Sequence, residues 1–156
     1  MDLPKRKPNR LPNYDYRSNG AYFITICVQD RKHLLCDIVG DDALIVPKPY
    51  GLIAEKYIAN IPQVEKYVIM PNHIHMLILL QHGPMKASAP TTSVSDIVRS
   101  FKIMVTKEIG KPIFQRSFHD HIVRTEQDYL KIWEYIDSNP AMWEKDCFYP
   151  KEAPVM

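Results

Sequence analysis

The chain has 156 residues, a formal net charge of +2, 46% hydrophobic residues and 24% charged residues. This composition suits one soluble globular domain, and it excludes a chain that is disordered throughout, collagen-like or a coiled coil. Three cysteines without a C-x-x-C pair argue against a disulfide scaffold and indicate free thiols in a reducing compartment. Because no signal peptide opens the chain and no apolar run is long enough to span a bilayer, we expect a cytoplasmic protein with no membrane partner.

The first eighteen residues are basic and rich in proline. Arg17 closes a group of five cations that faces only two aspartates. Such an arm is typical of a flexible tail that contacts phosphate, although a solvated terminus explains it equally well. We therefore predict a basic arm over residues 1–18, a domain over residues 19–143, and a C-terminal tail over residues 144–156 without a clear element.

The remaining elements are predicted in the order β-α-β-β-α-β-α. β-Branched and aromatic runs between turn residues indicate strands, and apolar residues three and four apart indicate helices. Proline and acidic residues interrupt the chain between the first strand and the first helix, and residues 82–92 read as a long loop. The predicted strands cover residues 21–28, 65–70, 73–81 and 118–124, and the predicted helices cover residues 50–61, 93–109 and 125–138.

This order predicts the fold class. Two split β-α-β units give an α+β fold with a ferredoxin-like antiparallel sheet, to which the last helix is an addition. The strand over residues 73–81 is apolar on both faces, so each face needs a cover. The added helix is expected on the sheet. The tail, with Trp143, Phe148 and Tyr149, or a second subunit would complete the cover.

Two histidines on this strand are the first chemical signal. His73 and His75 are two residues apart and therefore share one face. Two adjacent imidazoles can hold a metal ion. Taken alone, the pair reads equally well as two polar residues on a half-buried strand. Leu77 and Leu79 share the face, however, so the histidines are expected to be partly buried and to need polar partners.

The second signal lies on the last helix. Tyr129, Ile132, Trp133 and Ile136 form its predicted buried stripe, Tyr135 falls on the flank, and Asn139 follows one turn later. On an isolated helix, Tyr135 would be a packing residue and Asn139 an end residue.

Three segments together resemble a known family. They are the run Pro71-Asn72-His73-Ile74-His75-Met76, the run from Phe114 to Arg124, and the helix that carries Asp128-Tyr129, Tyr135-Ile136 and Asn139-Pro140. In this order they resemble the Y1 family of HUH single-strand DNA transposases (IS200-like), specifically its REP-associated tyrosine transposase branch. The resemblance spans roughly residues 14–143.

The resemblance implies roles for individual residues. Tyr135 matches the nucleophile, and His73, His75 and Asn139 match the ligands of Mg²⁺ or Mn²⁺. The insertion-sequence branch usually has glutamine at the position of Asn139. The implied activity is cleavage and rejoining of single-stranded or hairpin DNA at repeats through a 5′-phosphotyrosine. A nucleoid-associated location follows, and the choice between monomer and homodimer stays open.

Basic residues are the candidates for DNA binding. Each of them also reads as part of a solvated surface. The candidates are Arg99, Lys102, Lys107, Arg116, Arg124 and Arg17. Two other functions remain open: a domesticated relative that binds structured single strands without cutting, and an unrelated metallohydrolase that uses His73 and His75 and does not need Tyr135.

Overall fold

A computed structural model describes residues 19–81 and 92–150. The predicted arm with Arg17, and nearly all of the predicted loop over residues 82–92, lie outside the described residues. The strands are β1 (Gly20–Cys27), β2 (Cys36–Val39), β3 (Leu44–Pro47), β4 (Val64–Ile69), β5 (His73–Leu80) and β6 (His119–Val123); the helices are α1 (Pro49–Ala59), α2 (Val94–Ile109) and α3 (Glu126–Ser138), and a 3₁₀ turn covers Pro140–Lys145.

Four strands form one antiparallel sheet in the order β4-β5-β1-β6. β5 and β1 occupy its centre, and their register runs from Gly20 opposite Leu80 to Cys27 opposite His73. The predicted α+β fold with an antiparallel sheet and an added last helix is therefore confirmed. The histidines lie at one end of the central strand pair.

The two faces of the sheet have different covers. α1 and α2 pack on the face that carries Ile74, Met76 and Ile78. α3 and the tail pack on the opposite face, which carries Leu77 and the histidines. The added helix therefore lies over the histidine strand, as expected from the sequence.

Helix ends follow local chemistry. Ser93 caps α2 in a capping box with Asp96, and Gly110 ends the helix at a positive φ of 94°. Thr125 caps α3 by accepting a hydrogen bond from the Asp128 amide. The Thr125-Glu126-Gln127-Asp128 run resembles a capping box with Asp in place of Glu, but the Asp128 carboxylate binds His121 at 2.7 Å instead.

Two details differ from the sequence prediction. The apolar positions 97, 98, 101, 104 and 105 predict a buried stripe on α2 that includes Met104. Met104 is however 42% exposed, because the stripe that packs on the sheet is centred on Val98, Phe101 and Val105. The interrupted segment before α1 contains the β2–β3 hairpin, whose turn holds Ala43 at a positive φ. Within the two described ranges, no helix combines the length and the apolar character that a membrane crossing requires.

Candidate metal and nucleophile site

The two histidines are buried side by side at the end of β5. His73 is fully buried and His75 is 2% exposed, and their ring centroids lie 4.6 Å apart. β5 is a central strand that pairs with β4 and β1, so the backbone that carries the two rings is held on both sides. The predicted shared face is thus present, and it is considerably more enclosed than a half-buried strand.

Each ring is held by a hydrogen bond at Nδ1. Asn72 donates from Nδ2 to the Phe148 carbonyl, at 2.8 Å, so its Oδ1 must accept from His73 Nδ1–H, also at 2.8 Å. This contact puts the proton of His73 on Nδ1 and leaves a lone pair on Nε2. The hydroxyl of Thr25 lies 2.9 Å from His75 Nδ1. A partner at the second ring nitrogen is the usual support of a metal-binding histidine.

The other nitrogen of each ring lacks a hydrogen-bond partner among the described residues. Nε2 of His73, Nε2 of His75 and Oδ1 of Asn139 are all buried, and none makes a hydrogen bond with any described residue. Burial lowers the pKa of His73 to about 3, while the Asn139 side chain acts in the opposite direction. Burial, followed by the neighbouring His73, lowers the pKa of His75 to about 3. Both rings are therefore neutral at physiological pH, which is the form that binds metal.

α3 brings the predicted nucleophile to the same place. The ring centroid of Tyr135 lies 5.4 Å from that of His75, with the planes at 63°. Phe23 contacts both rings, at 5.0 Å from His75 and 6.0 Å from Tyr135. Tyr135 is 40% exposed, so it stands at the rim between the buried histidines and solvent. Tyr129 lies instead against Trp133, at 6.0 Å, in the packing position that its place on the helix predicts.

Electrostatics alone does not activate the phenol. Burial raises the pKa of Tyr135, and the nearby Asp146 raises it further. Asn139 lowers it. Tyr135 is therefore protonated in the state described, and its use as a nucleophile requires that the proton be removed or the surrounding charge be changed.

Asp146 is a site residue that the sequence reasoning missed. Its carboxylate, Nε2 of His73 and a ring nitrogen of His75 all lie within 4.8 Å of one another, which makes a set of three possible metal ligands. The Asp146 side chain is 1% exposed, and its Oδ2 lies 3.8 Å from His73 Nε2. Asn139 donates to the same oxygen at 3.0 Å, and the Phe148 amide donates to Oδ1 at 2.9 Å.

Residues near the C-terminus also cover the two histidines. The Phe148 ring lies 4.4 Å from the ring of His73, and the guanidinium of Arg31 lies 5.7 Å from the Phe148 centroid. Trp143 packs 6.0 Å from His73. The tail, rather than a region without structure, thus supplies both a carboxylate and an aromatic cover. The aromatic residues of the tail indicated that it could cover this face, but no signal in the sequence singled out Asp146.

The predicted DNA-binding residues are dispersed. Arg99, Lys102 and Lys107 lie on α2, which covers the sheet face opposite the histidines. Arg116 lies at the histidine end of the sheet, because the neighbouring Gln115 amide donates to the carbonyl of Cys27 and Cys27 pairs with His73.

Lys102 is engaged in hydrogen bonds within the protein, and Arg124 lies far from the histidines. Lys102 Nζ donates to the carbonyls of residues 115, 116 and 117, at 2.8, 3.3 and 3.1 Å, and so holds the segment that carries Arg116. Arg124 follows the far end of β6, away from the histidines. Arg17 lies outside the described residues.

Known proteins that are similar to this chain include a transposase. No protein-family model matches the chain. An uncharacterized Haemophilus influenzae protein is 33% identical over 169 aligned positions, which cover 92% of this chain and 93% of that protein. A putative REP-associated tyrosine transposase of the same organism is 28% identical over 142 positions, which cover 84% of this chain and 77% of that protein. The resemblance to the REP-associated tyrosine transposases that the sequence indicates is therefore confirmed.

A solved transposase structure shares the fold of this chain. A REP-associated tyrosine transposase bound to a REP hairpin superposes with a TM-score of 0.58 at 23% identity, over 92% of this chain and 74% of that chain. A putative transposase from Deinococcus radiodurans gives a TM-score of 0.45 at 16% identity. The α+β architecture of this chain is thus also that of the hairpin-bound transposase.

Proposed function

We propose that the protein is a metal-dependent single-strand DNA endonuclease and strand transferase that acts on hairpin-forming repeats. One observation carries the proposal: a tyrosine ring lies 5.4 Å from a buried histidine pair whose Nε2 atoms have no partner among the described residues. Packing alone favours apolar residues at such positions. A nucleophile beside a ready pair of metal ligands is the arrangement that phosphoryl transfer requires.

The residues present fit a divalent cation. His73 and His75 would supply two neutral nitrogens, and Asn139 and Asp146 would supply oxygens, which together suit a hard or borderline ion such as Mg²⁺ or Mn²⁺. Nitrogen ligands favour Mn²⁺ in affinity. When bound, the cation would offset charge on the scissile phosphate.

In the proposed reaction the phenol oxygen of Tyr135 attacks the scissile phosphorus. A bond forms between that oxygen and phosphorus, the bond from phosphorus to the 3′-oxygen breaks, and the 3′-oxygen leaves as a hydroxyl after taking a proton. The phenol proton passes to solvent at the exposed rim. The product is a 5′-phosphotyrosine, which conserves the energy of the diester, so that a 3′-hydroxyl can reverse the step without another energy source.

Asp146 has a defined influence on this step. Its negative charge raises the pKa of Tyr135 in the state described. A cation held by the same carboxylate would offset that charge, and the phenol would then ionise more readily. We therefore expect nucleophile activation and metal binding to be coupled through Asp146.

The proposed substrate is hairpin DNA with single-stranded flanks. The similar solved transposase is bound to a REP hairpin. Arg116 is the proposed phosphate contact at the histidine end. Arg17, and Arg124 at the far end of β6, are candidates for contacts with other parts of the DNA. Arg99, Lys102 and Lys107 would serve only DNA that reaches the opposite face of the sheet. Since Tyr135 and the histidines of one chain lie together, the proposed reaction does not need a second subunit.

The deciding experiment mixes the protein with labelled hairpin DNA that carries randomised flanks, in the presence of Mn²⁺ or Mg²⁺, and separates the products on a denaturing gel. A covalent protein–DNA adduct is expected. Tyr135→Phe should abolish the adduct and retain binding, whereas the control Tyr129→Phe should leave both. An adduct that survives Tyr135→Phe would contradict the assignment. Tight binding without an adduct in either metal would identify a non-cleaving DNA-binding relative.

A further inference from the structure

A second cavity lies beside the histidine site. Its volume is about 430 Å³, within the range of pockets that hold small ligands. Its walls combine aromatic, apolar and polar side chains. They are His33, Asp37, Ile38, Val39, Pro71, Trp143, Tyr149 and Pro150.

This cavity adjoins the proposed active site at three points of the chain. Pro71 immediately precedes Asn72, which holds His73. The Trp143 ring forms a wall of the cavity and lies 6.0 Å from the ring of His73. Tyr149 follows Phe148, the residue that covers the histidines. A DNA strand with one phosphate at the histidines would therefore have a neighbouring nucleotide close to this cavity.

The walls suit a flat, polar-edged ligand. Trp143 and Tyr149 lie 5.2 Å apart at 77°, and His33 lies 5.7 Å from Trp143, so three rings stand around the space. The Nε2 of His33 is buried without a hydrogen-bond partner among the described residues. Asp37 adds a carboxylate that is more than half exposed and lies 3.5 Å from Lys48. Aromatic walls and a polar edge are the means by which proteins hold an unstacked base.

We propose that this cavity binds one unstacked base of the DNA strand next to the cleaved phosphate, and that Asp37 favours a base with an exocyclic amino group. The inference rests on the proposed function for its substrate class. Adenine, cytosine and guanine each carry an exocyclic amino group that can donate a hydrogen bond to a carboxylate, whereas thymine carries a carbonyl oxygen at the corresponding position and has only its ring N3–H as a donor. The carboxylate would therefore discriminate against thymine at one position of the strand.

The test uses Tyr135→Phe protein, so that no cleavage intervenes, and hairpins whose flanks are all thymine except for one base moved along the flank. Fluorescence anisotropy measures affinity. At one position adenine, cytosine or guanine should bind about tenfold more tightly than thymine, within the range for a single base contact. Asp37→Ala should remove this preference, and Tyr149→Ala should weaken binding of every base at that position. The matched control is Asp41→Ala, in the exposed turn between β2 and β3 of the protein, and it should leave the affinity and the base preference unchanged.

The inference would be overturned if all four bases bound with equal affinity at every position, or if the base preference survived Asp37→Ala. The wild-type adduct assay separates this result from failure of the proposed function. Covalent adducts together with equal affinities for all bases would support the proposed function and contradict the base pocket. A base preference at one position without adducts would support the pocket and refute cleavage.

Discussion

The buried histidines predict a steep loss of stability in mild acid. His73 and His75 have a pKa of about 3 in the folded protein, because burial disfavours the charged ring. Their pKa in the unfolded chain is about 6.5. Below that value the unfolded state binds protons that the folded state cannot accept, so stability is present above pH 6.5 and decreases as the pH falls toward 3.

The size of the effect follows from linkage. At about pH 5.5 each ring costs roughly 1.4 kcal/mol, and the pair together lowers the free energy of unfolding by about 2.7 kcal/mol relative to pH 7.5. This result requires only that the pKa of each ring in the folded protein lie well below about 5.5. For a chain of this size the melting temperature should decrease by about 5–10 °C.

Thermal denaturation in the presence of a chelator, at both pH values, measures the effect. The matched control is the double variant His73→Gln/His75→Gln, which should lose most of the pH dependence whatever its absolute stability. His33, whose pKa burial also lowers, remains in both proteins and does not affect the comparison. An equal pH dependence in wild type and double variant would refute the reasoning that the rings are held neutral by burial.

Two further predictions concern residues that position others. Thr25→Val removes the partner of His75 Nδ1 and should weaken Mn²⁺ binding about 10- to 100-fold by calorimetry, whereas Thr25→Ser should retain it; equal affinities in all three would mean that Thr25 does not orient the ring. Lys102→Met should lower the free energy of unfolding by roughly 1.5–3 kcal/mol, because its ammonium holds three carbonyls. An unchanged melting temperature with a smaller salt dependence of DNA binding would instead identify Lys102 as a phosphate contact.

The sheet was predictable because its signals are local. The β5 run reads as a strand from its β-branched and apolar content, and Pro71-Asn72 marks the turn before it. Ser93 and Gly110 mark the ends of α2 through side-chain and backbone chemistry that does not depend on the rest of the chain. The β2–β3 hairpin was missed because each of its strands has only 4 residues, although Gly40, at a positive φ of 76°, is a turn signal between them.

The candidate site was predictable in part. Spacing on one strand places His73 and His75 on the same face, and spacing on one helix places Tyr135 one turn before Asn139. That the helix brings these residues to the histidines was expected from the need to cover an apolar face, and the geometry agrees. The role of Asp146 depends on a tail that folds back over the sheet, and no periodic pattern in residues 144–150 specifies that path.

The energetics distinguish a binding site from a packing arrangement. Nε2 of His73, Nε2 of His75 and Oδ1 of Asn139 are buried together without partners among the described residues. Each such atom costs roughly 1–3 kcal/mol, so the three together cost about 3–9 kcal/mol, a large share of the 5–15 kcal/mol by which proteins are usually stable. Apolar side chains of similar volume would avoid this cost. A cation that accepts all three lone pairs would offset it, and so a metal-binding role explains these residues better than core packing does.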